Sequence, residues 1–295
     1  MPSLLLRVRT TMSLRAHRRS LDLLEGGYAS IHHGRSHDFD DLRAYVAGDD
    51  VKDIDWKATA RHGEPLVKRY IASRRQHLVL VVDTGRNMAA TAAGGETKRD
   101  IAVMAAGALG YIAASHGDTV SLVAGDESGT RAFPSGGTEA HLEMLLRQID
   151  RRVSLDSARS DLVGVLDWVA RGIRRRSMLL IVTDDVPLDD RLSRLLRRLR
   201  AQHEIVWLTV GDADLMTRGG RASEVFDVHE MAGLPAYLRE NRELRVEFDR
   251  ADETLHDETE RGLRALGISS ERVGSRAEVV AALFTLIEKH RRARR

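Results

Sequence analysis

Residues 77–88 read HLVLVVDTGRNM, an apolar run of strand length that ends on Asp83 and leads into a glycine-containing loop. The run is rich in valine and leucine and has no polar alternation, which is typical of a strand buried on both faces of a parallel sheet. In open α/β sheets, ligands bind at the carboxyl ends of such strands. Asp83 is therefore a candidate site residue.

A second run, MLLIVTDD at residues 178–185, repeats this pattern and ends on Asp184 and Asp185. Parallel strands bring their carboxyl ends to one edge of the sheet. The sequence therefore predicts that acids from two strand ends converge on one cation or one partner.

Strand-like and helix-like segments alternate from residue 77 onward, which predicts an α/β fold with a mainly parallel sheet built from right-handed βαβ units. The predicted helices cover residues 97–116, 137–149, 160–175, 189–202 and 276–292, and residues 233–265 read as mostly helical. The other predicted strands are DTVSLVAG (118–125), EIVWLTVG (204–211), ASEVFDV (222–228) and GISSERVG (267–274).

The first 75 residues have a different character. Residues 1–25 are predicted to form a helix that stops at Gly26 and Gly27, and a polar, irregular stretch follows, with a short helix expected at FDDLRAY (39–45) and a short strand at LVKRYIA (66–72). We therefore divide the chain into an N-terminal helix and segment (1–75), an α/β domain (76–290) and a basic tail (291–295).

Composition restricts the classes of function. The 295 residues contain 46 Lys and Arg against 44 Asp and Glu, and no cysteine, which excludes disulfides and thiolate chemistry. Basic residues gather at both ends of the chain and leave nucleic-acid binding open as an alternative, although solvated helix ends explain them more simply. Because no apolar run is long enough to span a bilayer, we expect a cytoplasmic protein without a transmembrane segment.

One block carries a resemblance to a known family. It covers residues 34–70, GRSHDFDDLRAYVAGDDVKDIDWKATARHGEPLVKRY, and its most specific positions are Gly48, Asp49, Ile54, Asp55, Trp56, Lys57, Ala60 and Arg61. With the strand and DTGRNM that follow, it resembles the bacterial family called domain of unknown function 58. The resemblance implies a Rossmann-like, von Willebrand factor type A-like domain. It also implies a non-enzymatic protein-binding role as an adaptor or assembly partner of MoxR-type AAA+ ATPases.

Domains of the von Willebrand type bind a divalent cation through Asp-x-Ser-x-Ser, a Thr from a later loop and an Asp at a further strand end. The resemblance places Asp83, Asn87, Ser160 and Asp184 at the corresponding positions, with Mg²⁺ or Mn²⁺ as the implied ion. Gly85 replaces the first hydroxyl residue, so the site is degenerate. Asp83, Asp184 and Ser160 are equally explained as helix caps or loop acceptors.

Thr138 is a rival for the loop hydroxyl, but it opens a helix one element too early. His32, His33 and His37 are predicted to lie in a surface loop, because no carboxylate or further histidine follows them at a spacing typical of metal ligands. The glycine-rich stretch GDESGTRAFPSGG (125–137) lacks the lysine and the order of elements of a phosphate-binding loop.

A different class of function is a metal-dependent phosphoesterase that uses the acids Asp49, Asp53 and Asp55. The structural alternative is that Asp55 pairs with Arg61 and that Trp56 buries its ring, so that this block fastens the N-terminal segment to the sheet domain. We favour the structural alternative, since short acidic clusters are common.

Overall fold

A computed structural model describes residues 3–15, 24–28, 39–46, 49, 54–70, 75–213, 226–228, 231–233 and 242–293. The helices are α1 (Leu4–Arg15), α2 (Trp56–His62), α3 (Lys98–Ser115), α4 (Glu139–Arg152), α5 (Leu162–Gly172), α6 (Asp190–Gln202), α7 (Arg242–Ala265) and α8 (Val279–Ala293). The strands are β1 (Phe39–Ala44), β2 (Leu66–Tyr70), β3 (His77–Asp83), β4 (Thr119–Asp126), β5 (Gly129–Gly136), β6 (Met178–Thr183), β7 (Glu204–Val210), β8 (Phe226–Asp227), β9 (Ala232–Gly233) and β10 (Ser269–Val273).

The central sheet has six strands in the order β10-β7-β6-β3-β4-β5. All neighbouring strands are parallel except β5, which runs antiparallel to β4. In register, Leu80 of β3 lies between Leu122 of β4 and Leu180 of β6. The order places β3 and β6 side by side at the centre, so the two apolar runs singled out in the sequence are direct neighbours.

Helices cover both faces of this sheet. Alternate residues of β3 point into two different cores: Leu78, Leu80 and Val82 pack with α1, α3, α4 and α8, whereas Val79 and Val81 pack with α5 and α6. Both sets of side chains are fully buried. This double burial explains why the strand shows no polar alternation, and it confirms the predicted Rossmann-like α/β fold class.

The amphipathic pattern of α6 is also explained by its packing. Leu192, Leu196 and Leu199 are buried against the second core, whereas Arg194 and Arg197 are exposed to solvent. The arginine stripe is thus the solvated face of a helix that covers the sheet.

The structure corrects three of these predictions. Residues 24–28 are helical, so the chain does not leave a helix at Gly26 and Gly27 as expected. Residues 39–45 were expected to form a short helix, but Phe39–Ala44 is a strand that pairs antiparallel with β2, because cross-strand pairing overrides weak local propensity. No strand was predicted within residues 125–137, but Gly129–Gly136 is the edge strand β5 of the main sheet. Its side chains are mostly exposed, so a search for apolar runs could not identify this strand.

The N-terminal helix α1 contributes to the main core. Leu4, Leu5, Val8 and Met12 are buried in the same cluster as α3 and α4. Glu143 of α4 caps the helix by accepting from the backbone N–H groups of residues 4 and 5 at 3.1 and 2.8 Å. The proposed boundary at residue 75 stays a prediction, with α1 packed on the α/β domain.

Within the described residues, no helix combines the length and apolar character needed to cross a bilayer.

Candidate functional site

Three acids follow the carboxyl ends of neighbouring strands in the central sheet. Asp83 ends β3, Asp184 follows β6, and Asp212 follows β7 after one intervening glycine. Because these strands are parallel and adjacent, the acids lie along one edge. The structure therefore brings Asp83 and Asp184 to one edge of the sheet, as predicted, and adds Asp212, which the sequence analysis missed.

Asp83 is fully buried. Its Oδ1 accepts the backbone N–H of Gly85 at 2.8 Å. Burial raises the pKa of Asp83 to about 6; the Gly85 N–H and the Ser160 side chain oppose this shift, and Asp184 and Asp126 add to it. Among the described residues, neither Oδ2 of Asp83 nor Oγ of Ser160 has a hydrogen-bond partner of ordinary geometry.

Ser160 reaches Asp83 because its loop packs directly on Gly85. A Cβ atom built on Gly85 would lie 2.5 Å from both Cα and Oγ of Ser160. The loop is fixed by backbone bonds from the N–H of Arg86 to the carbonyl of Ala158 and from the N–H of Glu127 to the carbonyl of Arg159, at 2.9 and 2.8 Å. The absence of a side chain at position 85 is thus a condition for this approach.

Asn87, Ser160 and the rival Thr138 each lie in, or next to, the start of a helix. Asn87 lies in the 3₁₀ helix Arg86–Ala89 that follows β3. Ser160 was expected to cap the next helix, but the N-cap of α5 is Asp161, whose Oδ1 accepts the N–H of Gly164 at 2.9 Å. The rival Thr138 caps α4 by accepting the N–H of His141 at 3.2 Å.

A buried lysine, Lys98, occupies the edge beside Asp184. Lys98 opens α3 after the N-cap Thr97, and its side chain is completely inaccessible to solvent. The Nζ ammonium donates to Oδ1 of Asp184 and to Oδ1 of Asp212, the latter at 2.6 Å. Burial lowers the pKa of Lys98, but the two carboxylates outweigh it, so the pKa lies above its ordinary value and the ammonium stays charged.

A second ionic cluster lies next to the first. Arg272 of β10 donates to Asp185 at 2.6 Å and to Asp252 of α7 at 2.9 Å. His256 of α7 lies 3.6 Å from the other oxygen of Asp185. Burial raises the pKa of Asp185 although Arg272 opposes the shift. These contacts tie α7 to the carboxyl edge of the sheet.

The donor set does not fit a divalent cation of the von Willebrand type. Mg²⁺ demands near-octahedral oxygen coordination, yet position 85 has no room for a hydroxyl side chain and Asp184 is already bonded to an ammonium. The described residues also contain no group of three His, Asp or Glu side chains placed to hold a metal. The metal role of Asp83, Asn87, Ser160 and Asp184 stays a prediction that this geometry does not favour.

The family block forms a separate unit of local contacts. Arg43 donates to both carboxylate oxygens of Asp49 at 2.8 and 2.6 Å, and Asp49 also accepts the N–H of Val46 at 2.9 Å. Asp55 caps α2 by accepting the N–H groups of residues 57 and 58, both at 3.0 Å. Gly48, Asp53 and the histidines at 32, 33 and 37 lie outside the described residues.

Two expectations for this block are wrong. Trp56 was expected to bury its ring, but it is the first residue of α2 and is 65% exposed. Asp55 uses its carboxylate to cap the helix, and Arg61 lies exposed in the last turn of the same helix.

The important omissions of the sequence analysis were Lys98 and Asp212. Asp212 follows the apolar run EIVWLTVG, so the pattern used for Asp83 and Asp184 could have found it. Lys98 carries only a weak signal, since the first turn of a helix is an ordinary place for a solvated lysine.

Relatives in sequence are of unknown activity. The chain is 29% identical over 262 residues to uncharacterized proteins of Mycobacterium bovis and Mycobacterium tuberculosis, with 87% of this chain and 80% of each relative covered.

Similar solved structures include an aerotolerance-related membrane protein from Bacteroides fragilis, with 14% identity and a TM-score of 0.44 over 72% of this chain and 99% of that one. Another is a von Willebrand factor type A protein from Catenulispora acidiphila, with 12% identity and a TM-score of 0.42 over 74% and 43% of the two chains.

A family profile matches the part of the chain that contains the three strand-end acids and α2. The profile of the family described as "Protein of unknown function DUF58" matches residues 41–256. The chain belongs to this family.

Proposed function

We propose that this protein is a non-enzymatic protein-interaction module that serves as an adaptor or assembly partner of a MoxR-type AAA+ ATPase. The ATPase is the partner implied by the family resemblance. The observation that carries the interaction role is the exposed ring of Trp56.

Trp56 is held in an exposed position by its own helix. The carboxylate of Asp55 accepts two backbone N–H groups at the start of α2, and the N–H of Asp55 bonds to the carbonyl of Leu66 at 2.8 Å. The tryptophan is therefore attached to the β1-β2 hairpin by a rigid cap. A large aromatic side chain that stays in solvent contributes little to folding, whereas tryptophan is enriched among the residues that dominate binding energy at protein interfaces.

Further apolar side chains are exposed in the same part of the chain. Tyr45 and Val46 are 38% and 61% exposed, and the backbone N–H of Tyr45 bonds to the carbonyl of Pro65, next to the residue that holds Asp55. We call Tyr45, Val46 and Trp56 the hairpin surface. A contiguous exposed apolar patch marks an interaction site, and the proposal takes these three side chains as one such patch.

The charge around Trp56 indicates the chemistry of the partner. Lys57 and Arg61 of α2 are exposed, as is Glu64 just after the helix. Two exposed cations on the helix that carries Trp56, against one exposed acid, suit a partner surface rich in carboxylates, which would steer association and fix its orientation. The hairpin surface is therefore expected to meet an acidic face of the ATPase.

The strand-end acids are not part of the proposed binding surface. Asp83 and Asp184 are buried, so a partner that meets the folded surface reaches neither carboxylate directly. The two described acids of the phosphoesterase alternative, Asp49 and Asp55, are engaged in an ion pair and a helix cap. This arrangement supports a structural use of both.

The test is equilibrium binding of the purified protein to the MoxR-type ATPase of the same organism, followed by fluorescence anisotropy. Trp56→Ala should weaken binding about tenfold or more, as expected for a central aromatic contact, while its unfolding curve stays that of the wild type. Leu155→Ala removes another exposed apolar side chain, 51% exposed and outside the hairpin surface, and should bind normally. Equal binding by wild type and Trp56→Ala would overturn the proposed surface. Failure of the wild type to bind the ATPase would overturn the proposed partner.

A further inference from the structure

We propose that the ammonium group of Lys98 is a built-in cation that replaces the divalent metal of the von Willebrand type, so that the carboxyl edge of this sheet is assembled without any metal ion. The inference concerns the chain's own residues and is independent of the proposed partner.

The first argument is the position of the charge. The Lys98 side chain is fully buried, and its Nζ bonds to Asp184 and Asp212. Asp184 is the strand-end acid that the resemblance assigns to the metal. A buried lysine is tolerated only when carboxylates neutralise it, and here two carboxylates from adjacent strands do so.

The second argument is what the ammonium connects. Asp184 follows β6, Asp212 follows β7, and Lys98 begins α3, which packs across the first core. The backbone N–H of Lys98 bonds to the carbonyl of Ala90 at 2.9 Å, so the lysine is also fixed to the loop after β3. One covalently attached cation thus joins two strand ends and a helix, which is the bridging role that a metal performs when loops supply its ligands.

The third argument is the crowding around Gly85. Ser160 occupies the space that a side chain at position 85 would need, so the first hydroxyl of the metal motif cannot be restored without moving the loop. Even with Oδ1 of Asn87, the remaining candidate oxygens, Oδ2 of Asp83 and Oγ of Ser160, are too few to compensate a divalent ion for its lost water while Lys98 repels it. Gly85 and Lys98 thus both disfavour a divalent ion at this edge of the sheet.

The consequence is a site whose shape does not depend on the ionic composition of the surroundings. Removal of Mg²⁺ or Ca²⁺ should leave the edge intact. Any partner that binds near it should do so equally well in the presence of a chelator.

The experiment is isothermal titration of Mn²⁺ into the full-length, chelator-treated protein, with Lys98→Ala and Arg171→Ala in parallel. Arg171→Ala is the control, because Arg171 forms an exposed pair with Asp167 and its loss opens no buried acid. We expect no saturable binding by the wild type or the control, and saturable binding by Lys98→Ala, in which the ion takes the place of the ammonium between Asp184 and Asp212.

Two results would overturn the proposal: saturable Mn²⁺ binding by the wild type, or no Mn²⁺ binding by a folded Lys98→Ala variant. If Lys98→Ala does not fold, Lys98→Gln takes its place, because its neutral amide can still donate a hydrogen bond while Asp184 and Asp212 both stay available to the ion. The same two outcomes then decide.

Discussion

Lys98 donates from the first turn of α3 to Oδ1 of Asp184 at the end of β6, and both side chains are buried. Removing one member of a buried ion pair leaves the other charge without compensation, at a cost of about 3–5 kcal/mol. The pair is therefore a principal constraint on the carboxyl edge of the sheet.

Lys98→Ala should accordingly lower the free energy of unfolding by about 3–5 kcal/mol in metal-free buffer, as measured by guanidinium unfolding monitored by circular dichroism. Arg171→Ala breaks an exposed pair and should cost about 1 kcal/mol or less. Equal losses for the two variants would mean that the buried pair contributes no more than a surface contact.

The contact between Gly85 and Ser160 predicts the result of restoring the metal motif. Gly85→Ser should destabilise the protein by about 1–3 kcal/mol, because the new Cβ overlaps the backbone of the Ser160 loop. Gly26→Ser provides the control, since a Cβ at Gly26 meets no atom within 4 Å, and it should unfold like the wild type. A Gly85→Ser variant as stable as the wild type would show that the loop moves away freely.

The buried carboxyl of Asp83 predicts a dependence of stability on pH. Its pKa rises from 3.8 to about 6 on folding, so the folded state holds the proton more tightly and stability falls as the pH rises from about 4 to about 6. The cost above that range is about 3 kcal/mol, at roughly 1.4 kcal/mol per pKa unit.

Asp83→Asn removes this cost and keeps an Oδ1 acceptor for the N–H of Gly85. The variant should be more stable than the wild type at pH 7.5, by up to about 3 kcal/mol, and the two proteins should converge near pH 4. Urea unfolding at a series of pH values measures the difference. A difference that does not change with pH would contradict the buried-carboxyl account.

The cap of α2 predicts a contrast between two substitutions of Asp55. Asp55→Ala removes the acceptor for the N–H groups of residues 57 and 58 and should cost about 1 kcal/mol, whereas Asp55→Asn keeps a good N-cap and should cost little. Differential scanning calorimetry of the two variants tests this. If Asp55→Asn were as damaging as Asp55→Ala, the negative charge of Asp55, and not its role as a hydrogen-bond acceptor at the cap, would be what stabilises this segment.

Much of the fold was accessible from the sequence because its central strands are buried on both faces. β3 and β6 were identified from uninterrupted apolar runs, and α6 from leucines at helical spacing. β5 was not predicted because an exposed edge strand shows no apolar run. β1 was not predicted as a strand because its conformation depends on its pairing with β2.

Only part of the candidate site could be predicted from the sequence. The resemblance brought Asp83, Ser160 and Asp184 together, but the burial of Lys98 depends on two acids that lie 86 and 114 positions further along the chain. Such a tertiary ion pair leaves no local pattern. The exposure of Trp56 was missed for the opposite reason: tryptophan is usually buried, and here a cap holds it at the first position of a helix.

The most direct test of the central claim, that Lys98 serves as the cation of this edge, is the unfolding midpoint of the wild-type protein in millimolar EDTA and in millimolar MgCl₂ at equal ionic strength. A ligand that binds only the folded state at a hundred times its dissociation constant adds about 2.7 kcal/mol of stability. The account predicts superimposable curves for the wild type and a Mg²⁺-dependent rise for Lys98→Ala. A rise of the wild-type midpoint in Mg²⁺ would contradict it.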